Sequence, residues 1–162
     1  MGCTNLRYVN ITRDNPSGML TGWFQSLKLD TIDWLPNNIT TIGNDLVANS
    51  TVQHLVLPDS VTNYNGSLNW TTIRNCYIAG NPTFPNSFMH SSGIGKLYIN
   101  VVTPPTGFTF GYMGIDKIFV PIGCAATYIA TEPWATKFGS SKIFEYDFTT
   151  DPDNIKQPYD YS

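Results

Sequence analysis

Few residues of this chain have the types and spacing that catalysis requires. Its two histidines, His54 and His90, are 36 positions apart, and a catalytic pair or triad needs a nucleophile, a base and an orienting group within hydrogen-bond reach. Asp30 and Asp33 lie in one short segment, whereas the carboxylates of a glycosidase must flank the substrate. We therefore expect no catalytic residues and a function that is not enzymatic.

Motifs for cofactors and metals are incomplete as well. Gly93-Ile94-Gly95-Lys96 has part of a phosphate-binding loop, but it lacks the full glycine spacing and the Ser or Thr that follows the lysine. The acidic segment at 151–154 contains a proline and lacks the glycine and distal glutamate of a calcium loop. The cysteines are too few and too scattered for a disulfide framework or a zinc site: Cys3, Cys76 and Cys124. We expect neither a cofactor nor a metal.

The composition narrows the class of protein further. The 162 residues are enough for one domain with a sizeable core, and 41% are apolar but only 13% charged. A formal net charge of −3 and a pI near 5.1 give no basic footprint, which argues against a nucleic-acid partner. No run of 18 apolar residues occurs, so we expect no membrane span.

A repeat in the sequence predicts the strands that position these side chains. The pattern apolar-x-x-apolar-x-apolar occurs six times, and its first members are 23, 23, 21, 21 and 21 residues apart. The copies are Leu6/Val9/Ile11, Leu29/Ile32/Trp34, Val52/Leu55/Leu57, Ile73/Cys76/Ile78, Ile94/Leu97/Ile99 and Ile115/Ile118/Val120. A fixed period of this length is typical of leucine-rich repeats.

Physical reasons connect this period to a solenoid. The last two apolar positions of each copy are two residues apart, so their side chains lie on one face of a strand. One coil cannot bury that face alone, but stacked coils form a continuous apolar column beneath a parallel sheet. Prolines, asparagines and glycines after the strands indicate turns, as at Pro58-Asp59-Ser60. The pattern predicts a β-rich solenoid of about six leucine-rich-repeat coils with one parallel sheet.

Three segments carry a family resemblance. The segments at 37–62 (NNITTIGNDLVANSTVQHLVLPDSVT), 2–11 (GCTNLRYVNI) and 115–146 (IDKIFVPIGCAATYIATEPWATKFGSSKIFEY) resemble the BspA-type leucine-rich repeats of bacterial surface proteins. The matching features are Ile42-Gly43 and Val52-x-x-Leu55-x-Leu57-Pro58. Leu46-Val47 stand where the family has Ala-Phe, and the arms at 62–70 and 79–92 lack its I-G-x-x-A-F signature. The resemblance implies a surface or secreted location and a role in adhesion or recognition.

The two ends of the repeat differ. Gly123 to Thr131 has helical character, and Glu132-Pro133 ends it. Together with Trp134 and Phe138 it predicts a C-terminal cap, from about residue 121, on a solenoid of residues 1–146. Residues 147–162 leave the period and are expected to be extended or disordered. The first repeat begins by residue 6, so we expect upstream chain or another subunit to cover the N-terminal end.

The outward strand positions give the candidate ligand-binding residues. Stacking places equivalent positions of successive coils in ladders, which brings an aromatic row beside a polar one. The residues are Tyr77, Tyr98 and Phe119 beside Asn75, Lys96 and Lys117. An exposed aromatic row with polar neighbours is typical of a surface that binds a protein or a glycan, although such rows also stabilise sheets.

Two classes of function are consistent with these features. The first is a non-enzymatic binding or adhesion module that recognises a protein or glycan on its strand face. The second is a structural component of a larger assembly, such as a phage virion or tail appendage, in which a partner covers the N-terminal end.

Overall fold

The computed structural model describes residues 19–20, 24–32, 35, 38–43, 46–64, 68–78, 80, 83–84, 90 and 92–150. They form a β-solenoid of about five turns with a six-stranded parallel sheet. The strands of this sheet, in spatial order, are β2 (Lys28–Ile32), β4 (Thr51–Leu57), β6 (Thr72–Ile78), β7 (Gly93–Ile99), β8 (Gly114–Pro121) and β9 (Ile143–Tyr146).

The register of the large sheet agrees with the predicted repeat. Leu29 is paired with Val52, Val52 with Ile73, Ile73 with Ile94, and Ile94 with Ile115. These side chains are almost fully buried, as are the other repeat positions that the structure describes. The first predicted copy, Leu6/Val9/Ile11, and Trp34 lie outside the described residues, and so does the N-terminal end that we expected to be covered.

Two features of the sheets were not predicted. A second parallel sheet of three short strands lies on the return arms, formed by β1 (Met19–Leu20), β3 (Thr41–Ile42) and β5 (Asn63–Tyr64), so the expectation of a single sheet is wrong. In addition, β9 pairs in parallel with β8 and extends the large sheet. Each short strand contributes only two residues, which are too few to show strand alternation of their own.

Buried hydroxyl groups connect successive coils at the turns before β4, β6 and β7. The hydroxyl of Ser50 donates to the carbonyl oxygen of Phe24 at 2.5 Å, and that of Thr71 donates to Val47 O at 2.9 Å. Ser92 donates in the same way to the carbonyl of the preceding coil, at Leu68. These bonds satisfy backbone groups that the stacking removes from water.

Two short helices follow the last complete repeat coil, α1 (Ala125–Ala130) and α2 (Trp134–Lys137). The hydroxyl of Tyr128 donates to Val101 O at 2.8 Å, and the indole nitrogen of Trp134 donates to Pro105 O at 2.9 Å. Both side chains are fully buried. The predicted helix and the packing of Trp134 on the last coil are therefore present. In the described part of the chain, no helix is long and apolar enough to cross a membrane.

Candidate functional site

The outer face of the large sheet contains the ladders that the repeat predicts. Tyr77 is paired with Tyr98, and Tyr98 with Phe119. In the neighbouring ladder Asn75 is paired with Lys96, and Lys96 with Lys117. All six candidate residues therefore lie together on β6, β7 and β8. The register depends on the inward apolar positions, which cannot slip by one residue without exposing the core.

Two residues of the aromatic ladder are buried and Phe119 is half-buried, so the predicted exposure is wrong for the two tyrosines. Tyr77 and Tyr98 are only 2% and 1% exposed. Phe148 contacts the ring of Tyr77 with centroids 5.9 Å apart, and Tyr146 contacts that of Tyr98 at 5.1 Å. The chain leaving β9 crosses the sheet, and the carboxylate of Asp147 accepts hydrogen bonds from the backbone nitrogen and the hydroxyl of Thr149 in this turn.

The covered residues form a small second core on the outer face. Val56 and Phe119 pack against Tyr77 and Tyr98 together with Tyr146 and Phe148. The rings of Tyr98 and Phe119 are stacked, with centroids 4.8 Å apart and an interplanar angle of 15°. Same-face contacts of this kind stabilise a sheet. The segment at 147–150 is thus part of the folded structure, whereas residues 151–162, with the acidic segment, lie outside the described residues.

The polar ladder is accessible and borders a groove. A cavity of about 250 Å³ is lined by Arg74, Asn75, Gly95, Lys96, Asp116 and Lys117. It adjoins a second cavity of about 380 Å³ at the amino ends of the same strands, which shares Arg74, Gly95 and Asp116 with it. We call this continuous depression the strand-face groove. It contains three of the six predicted residues.

A glycine within a ladder creates this depression. Residues 74, 95 and 116 occupy equivalent positions on β6, β7 and β8, and Gly95 leaves a gap between the side chains of Arg74 and Asp116. Any larger residue would force the neighbouring backbone to shift, because a Cβ atom at 95 would lie 2.7 Å from the carbonyl oxygen of Arg74. The Gly93-Ile94-Gly95-Lys96 segment is accordingly a strand, with Ile94 in the core.

The charge around the groove is opposite in sign to that of the whole chain. Three cationic side chains and one carboxylate line the smaller cavity, whereas the formal net charge of the protein is −3. The ammonium groups are also held beside aromatic rings. Lys96 Nζ is 5.9 Å from the centroid of Phe119, and Lys117 Nζ is 5.9 Å from that of Phe144. The groove thus favours anionic groups.

His54 and the two described cysteines are partly or fully buried. Burial and the nearby Arg74 guanidinium lower the pKa of His54, although Asp30 acts in the opposite direction. The Asn75 side-chain nitrogen lies 3.2 Å from His54 Nδ1, which suits a neutral imidazole that accepts a hydrogen bond. Burial raises the pKa of Cys76 to about 12, so its thiol is not a nucleophile. Cys124 is also buried, and Cys3 lies outside the described residues.

Metal-binding side chains do not cluster in the part of the chain that the structure describes: no group of three or more His, Cys, Asp or Glu residues could hold an ion there. Sequence reasoning missed Arg74, Gly95 and Asp116 as site residues. The repeat register could have identified them, since they form the ladder next to Asn75, Lys96 and Lys117. Comparison with protein-family models, curated proteins and solved structures finds no match to this chain.

Proposed function

We propose that the protein is a non-enzymatic binding module whose strand-face groove recognises acidic groups of a protein or a glycan. The observation that carries the proposal is the concentration of Arg74, Lys96 and Lys117 around a groove on an otherwise acidic chain. Charge complementarity of this kind selects partners and accelerates their association. Carboxylates suit the site because guanidinium and ammonium groups both donate to them.

The six candidate residues divide into two roles in this proposal. Asn75, Lys96 and Lys117 contact the partner, with Arg74. The aromatic ladder lies beside the groove on the outer face, under Phe148 and Tyr146, and supports the groove without contacting the partner. Its residues are Tyr77, Tyr98 and Phe119. A partner would reach the tyrosine rings directly only by displacing that segment.

We further propose that the chain is a BspA-type leucine-rich repeat and that α1 and α2 are its C-terminal cap. The 21–23-residue period and the Val52-x-x-Leu55-x-Leu57-Pro58 coil support the first point. Burial of Tyr128 and Trp134 against the preceding coil supports the second. A cell-surface or secreted location follows from the same resemblance and agrees with an adhesion or recognition role.

Titration calorimetry with two acidic probes tests the proposed function. The probes are a deca-glutamate peptide and a decamer of galacturonic acid, added to the native protein and to a Lys96→Gln/Lys117→Gln variant. Each lost charged hydrogen bond is worth about 1.5–3 kcal/mol, so we expect at least a tenfold weaker affinity, since about 1.4 kcal/mol corresponds to tenfold.

Lys28→Gln is the control, because Lys28 is an exposed lysine of the same sheet outside the groove. Binding should weaken in all proteins as salt rises, since exposed charges are screened. The proposal is wrong if neither acidic probe binds the native protein, or if the double variant binds as tightly as the Lys28 control.

A further inference from the structure

A row of aromatic side chains follows one edge of the solenoid, in the turns that precede β6, β7 and β8. Trp70 is 59% exposed and Tyr112 is 85% exposed, and the half-buried ring of His90 lies between them. The ring centroids of Trp70 and His90 are 5.8 Å apart, and those of His90 and Tyr112 are 5.7 Å apart. We call these three residues the edge row; none of them lines the strand-face groove.

The backbone holds the edge row in place. The backbone nitrogen of Trp70 donates to the carbonyl of His90 at 3.0 Å, and the backbone nitrogen of His90 donates to Asn69 Oδ1 at 2.9 Å. Consecutive coils are therefore bonded to each other at the positions that carry the rings. Rings fixed in this way lose little conformational freedom when a ligand binds them.

The fold requires a left-handed residue at position 70 but not a tryptophan. Trp70 has φ 59°, and Ser26 and Asn49, in the corresponding turns of earlier coils, have φ 58° and 57°. Asparagine and glycine adopt this region readily, whereas a bulky side chain there is an outlier. An exposed indole in an unfavourable backbone conformation contributes little to folding, and residues held in such conformations are concentrated at functional sites.

A small cavity adjoins the end of the edge row. Its volume is about 190 Å³, and it is lined by His90, Phe110, Gly111, Tyr112 and Lys137. A Cβ atom at 111 would lie 3.0 Å from the Cα and Cδ2 atoms of His90, so the glycine makes room for the imidazole. Lys137 Nζ donates to Gly111 O at 3.2 Å, which keeps an ammonium group beside the cavity.

We infer that the edge row is a saccharide-binding site, separate from the strand-face groove. The C–H groups on one face of a pyranose ring carry partial positive charge and pack against the negative face of an aromatic ring. The rings of the edge row are about one sugar unit apart along the solenoid axis, and the cavity has room for about one pyranose. Lys137 and the Tyr112 hydroxyl would bind sugar oxygens.

The shape of the site favours a linear glycan over a protein. Protein interfaces bury aromatic anchors in the centre of a broad patch surrounded by a rim. Here the exposed rings form a narrow line, one to a coil, with interplanar angles of 57° and 85°. Such separate stacking surfaces suit successive units of an oligosaccharide chain.

Binding of defined oligosaccharides tests the inference. The native protein is titrated with the uncharged oligosaccharides cellohexaose, xylohexaose and chitohexaose, and compared with Trp70→Asn and Tyr112→Ser. We expect at least one hexasaccharide to bind, and each substitution to weaken that binding at least tenfold. Trp70→Asn should leave the thermal midpoint unchanged or raise it, because asparagine occupies the equivalent position in an earlier coil, so a loss of binding will not reflect unfolding.

Two control variants distinguish sugar binding at the edge row from binding elsewhere on the protein. Ile122→Ser removes an exposed apolar side chain outside the edge row and should bind sugars as the native protein does, and so should Lys96→Gln/Lys117→Gln. The inference is overturned if no hexasaccharide binds, or if Trp70→Asn and Tyr112→Ser bind with native affinity. The inference is also overturned if Trp70→Asn and Tyr112→Ser change only the self-association of the chain in light scattering. The edge row would then be a contact between protein chains.

Discussion

Two glycines in strand β7 provide a sensitive test of how closely the coils stack. A Cβ atom at Gly95 would lie 2.7 Å from the carbonyl oxygen of Arg74 on the neighbouring strand, whereas a Cβ atom at Gly93 meets nothing within 4 Å. Gly93→Ala and Gly95→Ala therefore make the same chemical change in one strand, two residues apart. Only the second change should force β6 and β7 to move.

The expected magnitudes follow from these distances. Replacing glycine by alanine where the backbone allows it stabilises a protein by about 0.4–1 kcal/mol through the unfolded chain, and we expect this for Gly93→Ala. At Gly95 the same gain is opposed by a collision with backbone, and overpacking costs about 1–3 kcal/mol. The two variants should thus differ by about 2 kcal/mol, or about 4–8 °C in melting temperature for a chain of this length.

Urea denaturation followed by circular dichroism measures the free energy of unfolding of both variants, and a thermal scan gives the midpoints. The slope of the urea transition should stay constant, since neither change alters the surface exposed on unfolding. If Gly95→Ala is as stable as Gly93→Ala, the close approach of β6 and β7 is wrong.

Three further predictions concern other parts of the structure. Phe148→Ala should lower the free energy of unfolding by about 1–3 kcal/mol in urea titrations, because it uncovers the buried ring of Tyr77 and removes an aromatic contact; an unchanged stability would contradict the covering. Thr71→Val should cost about 0.5–1.5 kcal/mol in the same assay, since the carbonyl of Val47 loses its hydroxyl donor but keeps the backbone nitrogen of Ser50, and a neutral effect would refute the link between coils. The pKa of His54 is lowered on folding, so the unfolded chain binds the proton more readily and stability should fall as the pH drops below about 6.5. His54→Gln should reduce this fall, measured as the melting temperature at each pH. An identical pH profile in the variant would exclude the imidazole as the cause.

The repeat period predicted much of this architecture. Spacings of 21 and 23 residues placed the inward apolar positions of β2, β4, β6, β7 and β8 correctly, because burial of one face allows only one register. The same register aligned Asn75, Lys96 and Lys117 in one ladder. The alternation of inward and outward residues, which recurs in every coil, is sufficient to predict both the buried positions and the polar ladder.

Tertiary contacts between distant segments were beyond that reasoning. Alternation places Tyr77 and Tyr98 on the outer face, but it does not show that Phe148, about 70 residues later, packs on them. The short strands β1, β3 and β5 were also missed, since two residues are too few to show the alternation of a strand. The depression at Gly95 exists because the glycine has no side chain, and a pattern of apolar residues does not reveal such a gap.

The proposed function requires that acidic partners bind at the strand-face groove. Backbone amide chemical shifts of ¹⁵N-labelled protein, recorded during titration with deca-glutamate, test it most directly. We predict that the shifts concentrate on Arg74, Lys96 and Lys117 and their strand neighbours, and that 0.5 M salt suppresses them, because the Debye length is then only about 4 Å. Shifts confined to residues outside the groove, or no shifts at all, would contradict the claim.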